Sequence, residues 1–411
     1  MSRVKIIPEE VVMKVVLIVL TLMSFHIKIA GGEELEKLSL EEALKIAFIN
    51  NPEIVTAEKN IESARARVVQ ALAYPNPELE TVMKNPSGGV EVEVSQELEL
   101  FGKRTLRGNM ARNEIKIYES ELELIHLGVS FKVKESYAQI LLARKIEELA
   151  EESLNLTRKF LDKVREKFNL GEVLRSELLR AEIEMFYAQN ELLVAEKDLS
   201  LNKAKLNILL GRSVSHKFVC TDEFVYKERR FDLDTLIKNA LINRPDLKAK
   251  KLMLDSKNME VKLMRKERFA NPSVGFWAER EDREQRLGVT LGIPLPFWYR
   301  KQGEIAEARN ESQKIEYQIN FLKRQIELEV NNAFGEVVLS DRQVALMEKS
   351  VKKGSELIRL IEMQYAEGKT DFLTYLEVLT TFKGTRLSYF RSILDHQIKL
   401  AILEKTTGGE L

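Results

Sequence analysis

Two hydrophobic rhythms alternate along this chain. Four short runs switch between greasy and polar residues one position at a time. The first two span 78–84 and 90–98 and are joined by Asn85-Pro86-Ser87-Gly88-Gly89, a strong turn signal. In the second of them Val90, Val92 and Val94 alternate with Glu91, Glu93 and Ser95. The other two span 273–280 and 286–293, where Leu287, Val289, Leu291 and Ile293 share one face. A period of two predicts strands with one greasy and one wet face. Between these runs the period is helical. From Leu178 to Leu209 the apolar or small positions advance by threes and fours without a slip, with Ala181, Ala188 and Ala195 at alternate places. That is a heptad seam which a neighbouring helix can approach closely. Tyr375, Val378, Phe382, Thr385 and Tyr389 form a similar seam later in the chain. A helix over 302–365 would be about 90 Å long at 1.5 Å per residue, longer than a compact globule uses. A further helix is expected over 40–72, with Ser39 as N-cap, Glu42 as capping-box partner and Pro52 as a break.

The same landmarks occur twice in the same order. The stretch from Leu40 to Ile54, with its Asn50-Asn51-Pro52, matches the stretch from Leu233 to Leu247, with Asn243-Arg244-Pro245, 193 residues later. Asn76-Pro77 recurs as Asn271-Pro272, and Phe168-Asn169-Leu170-Gly171 as Tyr365-Ala366-Glu367-Gly368. Gly211 recurs as Gly408. The expected organisation is a tandem repeat: a first unit over 38–220 and a second over 221–411, each a helix, a β-hairpin and a long helical hairpin.

Composition narrows the function. Lysine plus arginine and aspartate plus glutamate both total 64, so no net basic field favours nucleic acid. With 19 glycines and 9 prolines the chain is too poor in both to be loop-rich or low-complexity. Its one cysteine, Cys220, allows no internal disulfide, and burial as a small residue is its expected role. The histidines His26, His126, His216 and His396 are scattered, and no metal-binding, phosphate-binding or nucleophile motif occurs. No catalytic residue, metal site or cofactor is expected, and the chain does not read as an enzyme. Residues 1–30 read as a signal peptide: Lys14, an apolar run from Val15 to Phe25, then Ala30-Gly31-Gly32.

Four strands cannot close a barrel, since about eight are the minimum. Greasy-faced strands on an exported chain with no membrane helix suggest a barrel shared by several chains. Nine residues tilted by about 40° span roughly 23 Å, the height of an outer-membrane apolar band. A soluble hairpin packed on a helix remains the alternative from periodicity alone. Trp277 and Trp298, flanking the second hairpin, are expected in an interfacial belt. Lys103 and Arg104 are expected in water where strand meets helix.

The Leu-x-x-Ala-Leu and Asn-x-Pro opening helix, the Phe168 and Tyr365 turns ending in glycine and the Leu209-Leu210-Gly211 end resemble the TolC family of outer-membrane efflux channels. The stretch Gln96-Glu97-Leu98-Glu99-Leu100-Phe101-Gly102-Lys103-Arg104 resembles the family's heavy-metal branch, the CzcC-like exporters of cobalt, zinc and cadmium. The resemblance implies a mainly α fold with a small β part. It implies a homotrimer whose twelve strands form one transmembrane β-barrel in outer-membrane lipid, above a coiled-coil α-helical barrel in the periplasm. It implies a passive exit duct serving a periplasmic adaptor and an inner-membrane pump of the RND type. A periplasmic adaptor, or a structural coiled coil of an export machine, is the competing function. An adaptor has one helical hairpin between β-rich domains, whereas this chain offers two equivalent units.

The resemblance also assigns site residues. Gly171 and Gly368 match the periplasmic tip turns. Tyr365 matches the gating tyrosine, with Ser176 and Glu177 its polar partners, and its hydroxyl is expected to donate to Glu177. Thr370 stands where an arginine is usual, leaving Lys369 or Arg175 as substitutes for a second link. Glu377 matches an acidic pore residue and would give a ring of three carboxylates. Thr374, on the same helical face, is an uncharged counterpart.

Overall fold

The computed structural model describes residues 35–84, 89–281, 284–367 and 369–409. The signal segment, most of the first hairpin's turn and Gly368 lie outside the described residues. The order of elements in the first half is β1 (Glu36–Leu38), α1 (Leu40–Asn50), α2 (Pro52–Leu72), β2 (Glu78–Lys84), β3 (Gly89–Glu97), α3 (Lys103–Asn169) and α4 (Arg175–Leu209). Then come β4 (Phe218–Cys220), α5 (Leu233–Asn243), α6 (Pro245–Glu267), β5 (Ser273–Glu281), β6 (Glu284–Gly292), α7 (Gln302–Ala366) and α8 (Phe372–Thr407).

The helix boundaries follow from their end residues. Ser39 and Glu42 form the expected capping box at the start of α1. Asn51 ends α1 and, through its side chain, caps α2, whose first residue is Pro52. Proline is tolerated there because the first helical N–H has no partner in any case. The same break separates α5 from α6 at Arg244-Pro245. The long helices α3 and α7 hold 67 and 65 residues, so each runs about 100 Å. They pair lengthwise with α4 and α8 respectively, and α3 also lies along α6. Ala181, Ala188, Ala195, Leu199 and Leu206 of the heptad seam are all buried on α4.

The four long strands make one antiparallel sheet in the order β2-β3-β5-β6. The two hairpins meet at β3–β5, where Val90 faces Arg280 and Glu97 faces Ser273. At the far end of the short helices, β1 pairs in parallel with β4 and brings Leu38 against Phe218 and Cys220. Cys220 is buried, and burial pushes its thiol up to about 11, so it is inert packing as expected. Tyr137 of α3 is buried beside it and donates to Leu38 O at 2.9 Å and to Asp222 at 2.6 Å. A second core gathers Leu236, Ala240 and Leu247 against Ile326, Val330 and Leu403.

Candidate functional site

The sheet keeps two chemically opposed faces. Reading across β2, β3, β5 and β6, one face carries the rows Leu79, Val94, Phe276, Val289 and Thr81, Val92, Ala278, Leu287. These side chains have no cover: Leu287 is 83% exposed, and Leu79, Phe276, Val289 and Leu291 are each about two-thirds or more exposed. Soluble monomers rarely leave so contiguous an apolar patch uncovered. The opposite face carries Glu80, Glu91, Glu93 and Glu279 with Lys84 and Arg286. Lys84 pairs there with Glu91 at 3.0 Å and with Glu279. Among the described residues no helix is long and apolar enough to cross a membrane. Trp277 does not join a belt. It faces Glu93 and lies over Gly288, where a Cβ would collide with its ring. Its position is odd relative to Phe276 and Ala278, so the alternation puts it on the polar face. Trp298 is 95% exposed in the segment after β6, beside exposed Leu295, Phe297 and Tyr299.

Where β3 passes into α3, the expectation for Lys103 fails. Lys103 is only 4% exposed, and its ammonium donates to Phe269 O at 2.6 Å and Asn271 Oδ1 at 2.7 Å. Burial pushes its pKa below the ordinary lysine value. Asn271 in turn donates to Glu97 at 2.7 Å, and Leu98 N donates to Pro272 O at 2.8 Å. The Asn-Pro motif of the second half is therefore held by the first half. Arg104 stacks on the Tyr74 ring at 4.0 Å rather than standing free in water.

At the opposite ends of the long helices lie the tips. Gly171 takes φ of 77°, and the turn closes by Gly171 N donating to Phe168 O and Glu172 N to Lys167 O. A residue with a Cβ would be strained there. Tyr365 packs on a small core of Phe160, Leu161, Val164 and Ala181, so it joins α7 to both helices of the first tip. Its ring stacks on Tyr375 at 5.3 Å and meets Phe160 at 6.1 Å. Among the described residues no hydrogen bond joins its hydroxyl to Glu177. The carboxylate acts at longer range: burial first, and the Glu177 charge second, push the Tyr365 phenol upward. Ser176 is exposed and Glu177 half-buried. Lys369 pairs with Glu367 at 2.6 Å rather than making a link between tips. Thr374 takes its place in the first turn of α8, where its N–H donates to Asp371 Oδ1 at 2.7 Å. Glu377 is exposed on that face one turn further on. Sequence reasoning missed Phe160 and read Tyr375 only as a seam position. Aromatic residues within three turns of each tip were the available signal.

One polar cluster is buried in the second half. His396 on α8 is 1% exposed; its Nδ1 lies 3.0 Å from Ser340 Oγ and 3.4 Å from Asp341. Tyr226 donates to Asp341 at 2.9 Å. Burial lowers the His396 pKa and raises the Tyr226 phenol to about 12. No group of three metal-ligating side chains occurs among the described residues.

These features fit what the chain is similar to. It is 24% identical over 368 residues to the cobalt-zinc-cadmium resistance protein CzcC of Cupriavidus metallidurans, covering 86% of this chain and 85% of that one. Its fold matches the Campylobacter jejuni outer membrane channel CmeC with a TM-score of 0.74 at 17% identity, over 90% of this chain and 85% of that one. It also matches the Neisseria gonorrhoeae MtrE outer membrane channel, with a TM-score of 0.72 at 18% identity, over 90% and 89%. The model of the outer membrane efflux protein family matches residues 43–212 and again 236–409, and the chain belongs to that family.

Proposed function

We propose that three copies of this chain form one passive exit duct across the outer membrane, fed by a periplasmic adaptor and an inner-membrane pump of the RND type. Outer-membrane efflux is the family's role. The observation that carries the finer reading is the four-strand sheet with one bare apolar face, mounted on helical hairpins about 100 Å long. In this reading the apolar face meets lipid, the glutamate face lines the lumen and the helices make a periplasmic tunnel. The two halves are structural repeats, which the recurring element order and the two matched segments support. CzcC is named for cobalt, zinc and cadmium resistance, and similarity to it supports divalent metal cations as cargo here.

The tips form the gate. The stack of Tyr365, Tyr375 and Phe160 ties the two helical hairpins together, and in this reading Ser176 and Glu177 in the first turn of α4 supply the polar part of the closed state. Gly171 turns the chain at the first tip. Glu377 and Thr374 face the pore just above, and three Glu377 carboxylates crowded in a narrow passage favour cations. Purified protein in a planar bilayer tests this. Tyr365→Ala should raise conductance, and Glu377→Gln should reduce cation preference in reversal potentials. Wild-type conductance in the first variant would remove the gate, and unchanged selectivity in the second would remove the ring.

A further inference from the structure

The internal seam between the two hairpins predicts how a second copy adds to the sheet's open edges. β2 and β5 hold the same place in their hairpins, each following Asn-Pro, and so correspond at a separation of 195 residues. Crossing the sheet from β2, Glu78 faces Ser95, and Ser95 faces Gly275. The counterpart of Glu78 is Ser273, so crossing one hairpin advances the register by two residues. Gly275 next faces Thr290 on β6. If the second hairpin steps into a neighbour as the first steps into β5, Thr290 lands opposite Val82, two past Gly275's own counterpart, Glu80.

We infer that the β6 edge of one copy pairs antiparallel with the β2 edge of a second copy in a single register. In that register Leu79 faces Ile293, Thr81 faces Leu291 and Met83 faces Val289. The inference rests on the multi-copy barrel proposed above. The faces, the end of the ladder and the pitch are all consistent with it. The faces match: all three of those pairs lie on the apolar face, while Glu80–Gly292, Val82–Thr290 and Lys84–Gly288 lie on the polar one. A slip of one residue would turn every side chain of the added strand to the wrong face. The ladder then ends where Pro294 would face Glu78, and proline belongs at a strand end because it has no N–H to donate. The pitch suits closure. A full copy advances the register by four residues over its four strands, one residue per strand. With a rise of about 3.3 Å and a strand spacing of about 4.8 Å, that gives a tilt of about 35°, the value closed barrels adopt. The tilt depends on the advance per strand, so it holds for any whole number of copies.

The test is disulfide trapping in outer membranes of cells making full-length protein with Cys220→Ser. Leu79→Cys with Ile293→Cys and Val82→Cys with Thr290→Cys probe the predicted register. They sit at alternating pair types, and the closer, non-hydrogen-bonded type favours a disulfide, so one of the two should trap readily. Thr81→Cys with Ile293→Cys and Leu79→Cys with Leu291→Cys probe slips of two residues that keep the faces matched. After oxidation, non-reducing gels should show multimers several-fold more abundant for a predicted pair than for either slipped pair. Dominant trapping of a slipped pair overturns the register while leaving the shared barrel intact. No trapping by any pair, with the wild-type extract running as a single chain, overturns the shared barrel and the register with it.

Discussion

The passage from strand to long helix is built twice, and the two versions differ. At the first, Gly102 takes the left-handed conformation freely, Lys103 is buried, and its ammonium reaches across to Phe269 and Asn271 of the other half. At the second, Lys301 takes φ of 60° without glycine's freedom, its side chain pairs locally with Glu304, and Gln302 is exposed. Trp298 stands beside it almost fully bare. The first junction abuts a partner within its own chain; the second faces outward with the free edge of β6. Exposed aromatic rings and a sheet-edge strand lie at one junction and a satisfied buried lysine at the other, and it is the former that the proposed neighbouring copy would cover.

Three substitution pairs and one pH series probe that contrast. The largest effects belong to the sheet. Val92→Arg lies within the internal seam and Val289→Arg on the open-edge strand. Each should cost about 2–4 kcal/mol of stability in bilayers if both faces meet lipid near mid-membrane. Urea unfolding from vesicles measures this, and a near-zero cost for Val289→Arg would mean that β6 stays in water. Next is the junction itself. Lys103→Ala leaves two part-buried acceptors without their donor and should cost about 1–3 kcal/mol, whereas Gln302→Ala should cost well under 1 kcal/mol. Equal losses in the two variants would erase the distinction.

A smaller effect distinguishes α8 from α4. His396 is buried where α4, 197 residues earlier, has the apolar Leu199. Burial lowers the folded-state pKa of His396 below its ordinary value, so the unfolded chain binds the proton more readily. Its contribution is therefore complete above about pH 6.5 and is lost as pH falls through the folded-state pKa. Melting temperature should drop between about pH 7 and pH 5, and His396→Gln should flatten that slope. The smallest change belongs to the tips. Tyr365→Phe keeps the ring stack and should leave conductance close to wild type, while Tyr365→Ala should not. A large rise in Tyr365→Phe would show that the hydroxyl holds the closed state.

Much of this was legible in the residues because two periods write themselves directly. Alternation of Val90, Val92 and Val94 with glutamates located β3 to within a residue, and the alanines of α4 marked its buried seam before any packing was known. Ser39, Glu42 and Pro52 placed the breaks between the short helices. Lys103 was not legible. A lysine after a glycine reads as a solvated helix start, and its burial depends on Asn271 and Phe269, nearly 170 residues away. Trp277 could have been placed by counting from Phe276, but bulk and aromaticity drew it toward the interface. At the tip, the family resemblance placed Tyr365 near Glu177 without fixing which way its hydroxyl points. Packing against Phe160 and Tyr375 decides that.

If other copies of the same chain close the open edges of this sheet, the protein in the membrane is a multimer. Native mass measurement of the protein extracted from outer membranes in mild detergent tests it most directly. The expected particle holds three chains and separates only on denaturation. A particle of one chain, still holding its sheet and still inserted in the membrane, would contradict it.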